Sequence, residues 1–275
     1  MSGAAVPACS QFGAGGRGFA CSGTLAVSEI ADTAAEAEAL GYTSLWITVL
    51  RGITDPATVL EAALEASARL EVGLGLVPLD SFSGAELAEQ LAGAPTRALV
   101  GLGVGMRHDG AASFWRAQAA DFREGAPGVR IAVGSYGPLV LRAGGARADA
   151  VLLNWMTPER VRWALKQVDA GALAAGRERP PRPAYVYVPT AVGKDAPTQL
   201  ADALHAMARF DYHRRHQATV SPDAALGVAV DLATAEPPQR PSYGPDTVPV
   251  VNATGETARE QRNVLLRAFA PTRAV

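Results

Sequence analysis

The chain has 275 residues, of which 48% are hydrophobic and 19% are charged, a composition typical of a globular protein with a large core. Its length allows one α/β barrel or two smaller domains. A formal net charge of -2 gives no electrostatic reason to expect nucleic acid or a membrane surface as a partner. Two cysteines, Cys9 and Cys21, are too few for a disulfide framework, so a reducing cytoplasm is the expected compartment.

Residues 1–16 are small and rich in glycine and alanine, and we expect a flexible tail ahead of one domain that spans 17–275. They lack the charged and apolar regions of a secretory signal. The run from Gly13 to Gly18 formally matches G-x-G-x-x-G. It has no strand before it and no helix directly after it, and the dinucleotide fingerprint needs both.

Short apolar runs alternate with helical segments along the rest of the chain. Strands are predicted at 18–21, 44–48, 71–77, 98–103, 129–133, 150–154, 185–188 and 247–251. Helices are predicted at 27–40, 55–66, 84–91, 111–123, 138–145, 158–174, 197–217, 222–234 and 254–269. This alternation predicts a parallel sheet with crossover helices. The length favours a closed (β/α)₈ barrel, although periodicity alone does not separate closed from open sheets.

The stretch 128–159, GVRIAVGSYGPLVLRAGGARADAVLLNWMTPE, contains a strand, a glycine-rich turn, a helix and a second strand. The turn consists of Gly134, Ser135, Tyr136 and Gly137, and Pro138 begins the helix, where a missing N–H costs nothing. Such a turn lets backbone N–H groups approach an anion at the positive end of a helix. We predict a phosphate site here, with an ordinary tight turn as the alternative.

The same stretch carries a resemblance to a known family. Residues 134–138, 148–150 and 152–159 resemble the corresponding part of the bacterial luciferase-like superfamily of flavin and deazaflavin oxidoreductases. Further likeness lies at 18–22, 37–47, 55–78 and 99–105. Within the superfamily, the chain is most similar to the branch that uses coenzyme F420.

The resemblance implies a single luciferase-like (β/α)₈ TIM barrel and an enzyme that passes a hydride from reduced F420 to a small organic acceptor. The acceptor would carry an activated C=C or C=N bond. One alternative is a luciferase-like monooxygenase that uses FMN, and another is a barrel that binds a flavin or deazaflavin without catalysis. We expect a small-molecule substrate and no metal. Relatives often dimerise, which makes a homodimer possible and leaves the oligomeric state open.

Because barrel sites collect at the carboxyl ends of strands, these ends supply the candidates for cofactor binding. Besides the four turn residues they are Thr48, Leu76, Val77, Gly103, Gly105, Asn154 and Trp155. Relatives carry a bulge, often with a cis non-prolyl bond, at the position of Leu76 and Val77, behind the central ring of the cofactor. We favour an ordinary strand end there, with the Val77–Pro78 bond trans.

The other candidates each have two interpretations. Gly103 and Gly105 could form a flat platform where a ring approaches the backbone. The amide of Asn154 could bind the cofactor or cap the following helix, and either contact would supply its hydrogen-bond partners. Trp155 could form a wall of the pocket or pack in the core.

Catalytic residues are not identified, and three weak candidates remain. Arg51 is a lone cation after the second strand that would contact an anionic substrate or the acidic tail of the cofactor, or would pair on the surface with Asp55. His108 could move protons or lie in a solvated loop, and Tyr187 ends the seventh strand. The His or acid usual after the second strand and the acid usual after the fourth are both missing. No general acid/base constellation is therefore visible.

Overall fold

The structure is a computed structural model that describes residues 16–50, 52–107, 109–192, 196–207, 228–230, 246–253, 262, 266–267 and 270–271. The strands are β1 (Gly18–Ser22), β2 (Ser44–Thr48), β3 (Glu71–Pro78), β4 (Ala98–Gly103), β5 (Arg130–Val133), β6 (Ala150–Asn154), β7 (Ala184–Val192), β8 (Val228–Val230) and β9 (Thr247–Ala253). The helices in the described ranges are α1 (Val27–Ala39), α2 (Pro56–Glu65), α3 (Gly84–Leu91), α4 (Ala111–Gly125), α5 (Pro138–Arg147), α6 (Pro158–Ala174) and α7 (Ala196–Met207).

Eight parallel strands close into a (β/α)₈ TIM barrel, which confirms the predicted fold. The strands β1 to β7 follow one another around the ring, and β9 pairs with both β7 and β1. The strand β8 lies outside the ring and pairs with the end of β7. None of the described helices is both long and apolar enough to cross a membrane.

One predicted helix is wrong. The segment 222–234 was expected to be helical, but Val228–Val230 forms β8. Two β-branched residues in a three-residue run favour a strand, which pairs with the carboxyl end of β7, and such tertiary pairing outweighs helix propensity. The other residues of that segment, residues 208–217, residues 236–245 and most of 254–269 lie outside the described residues.

Several helices begin where the sequence supplies a cap. Asp55 accepts a hydrogen bond from the Thr58 N–H at 3.0 Å, and Pro56 occupies the first position of α2. Ser83 and Glu86 form a capping box at the start of α3. Both caps lie in loops that follow the carboxyl end of a strand, and because the strands are parallel, these loops share one face of the barrel.

The side chains of the strands alternate between an outer core under the helices and the barrel interior, which we call the lumen. Trp46, Leu99, Leu152, Tyr185 and Val250 fill the lumen. A Cβ atom on Gly73 would overlap the Trp46 ring, so this indole needs a glycine on the neighbouring strand. At the amino-terminal end of the lumen, Arg130 and Tyr185 both donate hydrogen bonds to the Glu71 carboxylate.

Candidate functional site

The carboxyl ends of the barrel strands open into a recess that we call the mouth. Counting in twos from the lumen residues Ala20, Trp46, Leu152 and Val250 places four polar side chains in it. They are Ser22, Thr48, Asn154 and Asn252, all partly exposed. Asn252 was missed because the predicted strand stopped at Val251. Period-two counting from Val248 and Val250 would have placed its side chain in the lumen.

The floor of the mouth is made by a bulge in β3. The register against β4 shifts between Gly75 and Val77, and the Gly75–Leu76 peptide bond is cis. The expectation of an ordinary strand end is therefore wrong, whereas the Val77–Pro78 bond is trans, as expected. The bulge places Leu76 against the lumen cluster, whereas Val77 is fully buried in the outer core, on the other side of the sheet.

Leu76 lies over two glycines, Gly103 at the end of the neighbouring β4 and Gly134 in the turn that follows β5. A Cβ atom on Gly134 would overlap Leu76, and one on Gly103 would lie 3.3 Å from Leu76 Cδ1. These glycines therefore leave room for the isobutyl group of Leu76. Gly105 has a φ of 62°, and a Cβ atom there would overlap the carboxylate of Asp80. The lack of a side chain at Gly105 therefore allows the loop after β4 to contact the loop after β3.

Tyr187 supports the bulge from below. Its hydroxyl donates a hydrogen bond to the Gly75 carbonyl at 3.2 Å, and only 3% of the residue is exposed. Burial raises the pKa of Tyr187 well above its usual value. This catalytic candidate is therefore a buried, neutral phenol that holds β3 in place.

Asn154 has an unsatisfied acceptor. Its Oδ1 atom is buried and has no hydrogen-bond partner among the described residues. It does not cap α6, because Thr157 occupies the cap position and its hydroxyl accepts from the Arg160 N–H at 3.3 Å. Trp155 follows with a φ of 53°, and its 7% exposed side chain packs in the lumen cluster.

The 134–137 turn joins β5 to α5 beside this acceptor. The Ser135 hydroxyl oxygen accepts from the Gly137 N–H at 3.0 Å, so its own proton is available to a ligand. Gly137 caps α5 without a side-chain hydrogen bond. A Cβ atom on it would meet only Ser135, at 3.8 Å. This side of the turn is therefore open.

Arg160, in the first turn of α6, reaches the same turn and was missed by the sequence analysis. Its Nη2 donates to the Tyr136 carbonyl at 2.9 Å, and its guanidinium lies 3.5 Å from the Trp163 ring centroid. Burial lowers the pKa of Arg160. The signal in the sequence is topological, because α5 and α6 follow adjacent parallel strands and so begin side by side.

The rim of the mouth is apolar. Large hydrophobic side chains are exposed on the loops that follow β2 and β4 and in the first turn of α5, including Leu50, Ile53 (67% exposed), Met106 and Leu139. A groove of about 470 Å³ lies between the loops that follow β2 and β3, where Ile53 and Phe82 line it. Within the part of the chain that the structure describes, no group of three or more His, Cys, Asp or Glu could hold a metal ion. Arg51 and His108 lie outside the described residues.

The fold is similar to that of known proteins. The family model of luciferase-like monooxygenases matches residues 13–124. The F420-dependent tetrahydromethanopterin reductase of Methanopyrus kandleri is 15% identical, with a TM-score of 0.62 over 93% of this chain and 98% of that one. An F420-dependent secondary alcohol dehydrogenase, solved with an F420–acetone adduct, is 14% identical, with a TM-score of 0.66 over 92% and 99%.

A third structure extends the comparison to flavin enzymes. The oxygenating component of 3,6-diketocamphane monooxygenase from Pseudomonas putida, solved with FMN, is 14% identical, with a TM-score of 0.67 over 93% of this chain and 97% of that one. No curated protein sequence matches the chain. The predicted resemblance to the luciferase-like superfamily is confirmed, and structures at this identity share the fold.

Proposed function

We propose that this chain, in which residues 13–124 match the family model of luciferase-like monooxygenases, is an oxidoreductase that binds a deazaflavin at the barrel mouth. Reduced coenzyme F420 would supply a hydride to a small organic acceptor with an activated C=C or C=N bond. Two of the structurally similar enzymes depend on F420, and both align over more than nine-tenths of this chain.

The observation that carries the proposal is the unpaired acceptor of Asn154. A buried amide oxygen needs a donor, and the described residues provide none. The pyrimidine edge of a flavin or deazaflavin has one N–H between two carbonyl groups. The Asn154 side chain offers the complementary pair, an acceptor oxygen and donor N–H groups.

The 134–137 turn suits the phosphate of such a cofactor. The second and third N–H groups of α5, from Leu139 and Val140, have no partner within the helix and lie at its positive end. The Ser135 hydroxyl adds a donor, and Gly137 leaves the approach open. The turn follows β5, and Asn154 ends the adjacent β6. Ring and phosphate could therefore be held at the same edge of the barrel.

The described side chains of the mouth are neutral, which fits a reaction whose chemistry comes from the cofactor. Hydroxyl, amide and aliphatic groups line it, and the carboxylate and the cation of the lumen, Glu71 and Arg130, lie at the opposite end. When bound, a deazaflavin supplies the hydride, and the protein supplies binding and orientation. Leu76 and the exposed apolar rim favour an acceptor that is itself neutral and largely apolar.

FMN is the second candidate, because one of the structurally similar proteins was solved with FMN. The 134–137 turn and Asn154 would serve its phosphate and ring equally well. The chain would then be a luciferase-like monooxygenase. A flavin reacts with oxygen and a deazaflavin does not, so the identity of the cofactor decides the type of reaction.

The test is a fluorescence titration of the purified protein with F420 and, separately, with FMN. We expect saturable binding of F420, together with oxidation of reduced F420 by an unsaturated acceptor such as cyclohexenone. Tighter binding of FMN would favour the monooxygenase. Cofactor binding without turnover of any acceptor would indicate a non-catalytic barrel. If neither cofactor binds, the proposal is wrong.

Two variants connect the titration with the site. Asn154→Leu should weaken ring binding, and Gly137→Val should block the phosphate without disturbing the fold, since the space there is open. Gly128→Val is the matched control on another loop, because a Cβ atom at Gly128 meets nothing within 4 Å and one at Gly137 meets only Ser135, at 3.8 Å. Unchanged affinity in both site variants would place the cofactor elsewhere.

A further inference from the structure

Arg160 is held at the 134–137 turn in a way that surface arginines are not. One nitrogen of its guanidinium donates to the Tyr136 carbonyl, and the group stacks on Trp163 at 3.5 Å. The Nε atom is buried and has no hydrogen-bond partner among the described residues. The guanidinium is therefore fixed in position, with donor capacity left unused.

The positive charge of Arg160 is electrostatically unfavourable at its position unless an anion binds beside it. It lies in the first turn of α6, where the helix dipole favours negative charge. No carboxylate in the described part of the chain pairs with it, since the adjacent Glu159 pairs with Arg162 at 2.8 Å. Burial lowers its pKa without a neighbouring charge to offset this. The α5 N-terminus adds further positive potential beside it.

We propose that Arg160 is a positioning residue that makes the 134–137 turn selective for a phosphorylated cofactor. The hydrogen bond from Arg160 keeps the Tyr136 carbonyl oxygen directed at the guanidinium. This oxygen therefore does not point at a bound anion. The remaining guanidinium N–H groups and their charge then favour phosphate over a neutral group. This inference rests on the proposed function, because it assumes that a flavin or deazaflavin occupies the mouth.

The experiment compares each cofactor with its dephosphorylated form. Dissociation constants are measured for FMN and riboflavin, and for F420 and the deazaflavin fragment that lacks the phosphate and its tail. In the wild type, the phosphorylated member of the pair should bind more tightly. Arg160→Ala should weaken its binding about tenfold or more, the effect of losing a charge-assisted hydrogen bond, and leave the dephosphorylated member within about twofold.

The matched control is Arg162→Ala, which removes an arginine from the same helix at a position where 57% of the side chain is exposed. It should leave both dissociation constants unchanged. Arg160→Gln keeps a donor for the Tyr136 carbonyl and removes the charge, so it should lose only part of the preference for phosphate. Added salt should also reduce that preference in the wild type, and less in Arg160→Ala.

The outcomes separate the two claims. If the wild type binds none of the four compounds, the proposed function fails. If it prefers the phosphorylated forms and Arg160→Ala keeps the same preference, the role of Arg160 is wrong. An equal loss of affinity for both members of a pair would likewise overturn it, since that indicates a structural effect. If Arg160→Ala does not fold, a wild-type preference that does not change with salt would overturn the role of its charge.

Discussion

At the scale of single residues, one carboxylate, that of Glu38, holds the loop between α2 and β3 by three hydrogen bonds. Glu38 Oε2 accepts from the N–H groups of Ala68, Arg69 and Leu70 at 3.0, 2.7 and 3.1 Å, which joins α1 to the loop before β3. These hydrogen bonds, that from Arg69 first, lower the pKa of Glu38. Glu38→Ala leaves three N–H groups without this acceptor and should lower the free energy of unfolding by about 1–3 kcal/mol at neutral pH.

The effect has a defined pH dependence. Because the pKa of Glu38 in the folded state lies below its usual value of 4.5, its stabilisation is fully present above that value. It is lost as the pH falls through the lower, folded-state pKa. Urea unfolding of wild type and Glu38→Ala should therefore converge in acid. Glu61→Ala, an exposed position on α2, is the control, and an equal loss there would contradict the assignment.

Tyr187 gives a second prediction at this scale. Burial keeps its phenol neutral well above the usual pKa of 10, so Tyr187 should not ionise in the folded protein. Tyr187→Phe should leave the tyrosinate absorbance of the folded protein unchanged in an alkaline titration. It should also lower the free energy of unfolding by about 1 kcal/mol, since the Gly75 carbonyl loses its donor. A smaller absorbance change than in the wild type would mean that this phenol does titrate.

At the scale of elements, α5 and α6 are packed closely enough to fix the distance between the 134–137 turn and Arg160. A Cβ atom on Gly171 of α6 would overlap the backbone of Arg142 on α5, and one on Gly145 would overlap that of Val168. Backbone cannot move aside as a side chain can. The spacing of the two helices therefore depends on glycine.

Gly171→Ala tests this contact. We expect it to lower the free energy of unfolding by about 1–3 kcal/mol, because the two helices must separate. Gly128→Ala is the control, since its new methyl group meets nothing and stability should stay within about 0.5 kcal/mol. Chemical denaturation of both variants measures the difference. Equal stabilities would show that the helices can adjust without cost.

The sequence predicted the strands and helices better than the contacts between residues on different elements. The barrel strands were found because β-branched runs alternate with capped helices, as at Asp55 and Pro56. The bulge at Leu76 was not, because it depends on space left by Gly103 on β4 and Gly134 in the turn after β5. Arg160 was missed for the same reason, since its partner carbonyl lies 24 residues earlier and belongs to another strand–helix connection.

At the scale of the whole molecule, the two ends of the barrel have different tasks. The mouth combines an unpaired amide, an open turn and exposed apolar side chains. The opposite end is closed by Glu71, Arg130 and Tyr185, which connect β3, β5 and β7 across the lumen. Functional residues of such barrels collect at the carboxyl ends of strands, and the other end contributes stability.

This division predicts that variants at the two ends affect separate properties. Glu71→Ala removes the shared acceptor of Arg130 and Tyr185 and should lower the free energy of unfolding by about 1–3 kcal/mol. That is more than an exposed ion pair contributes, because Tyr185 is almost fully buried, although about a third of Glu71 and Arg130 is exposed. Cofactor affinity should not change. Gly137→Val should show the reverse, with lost affinity and unchanged stability, and a loss of both properties in either variant would contradict the division.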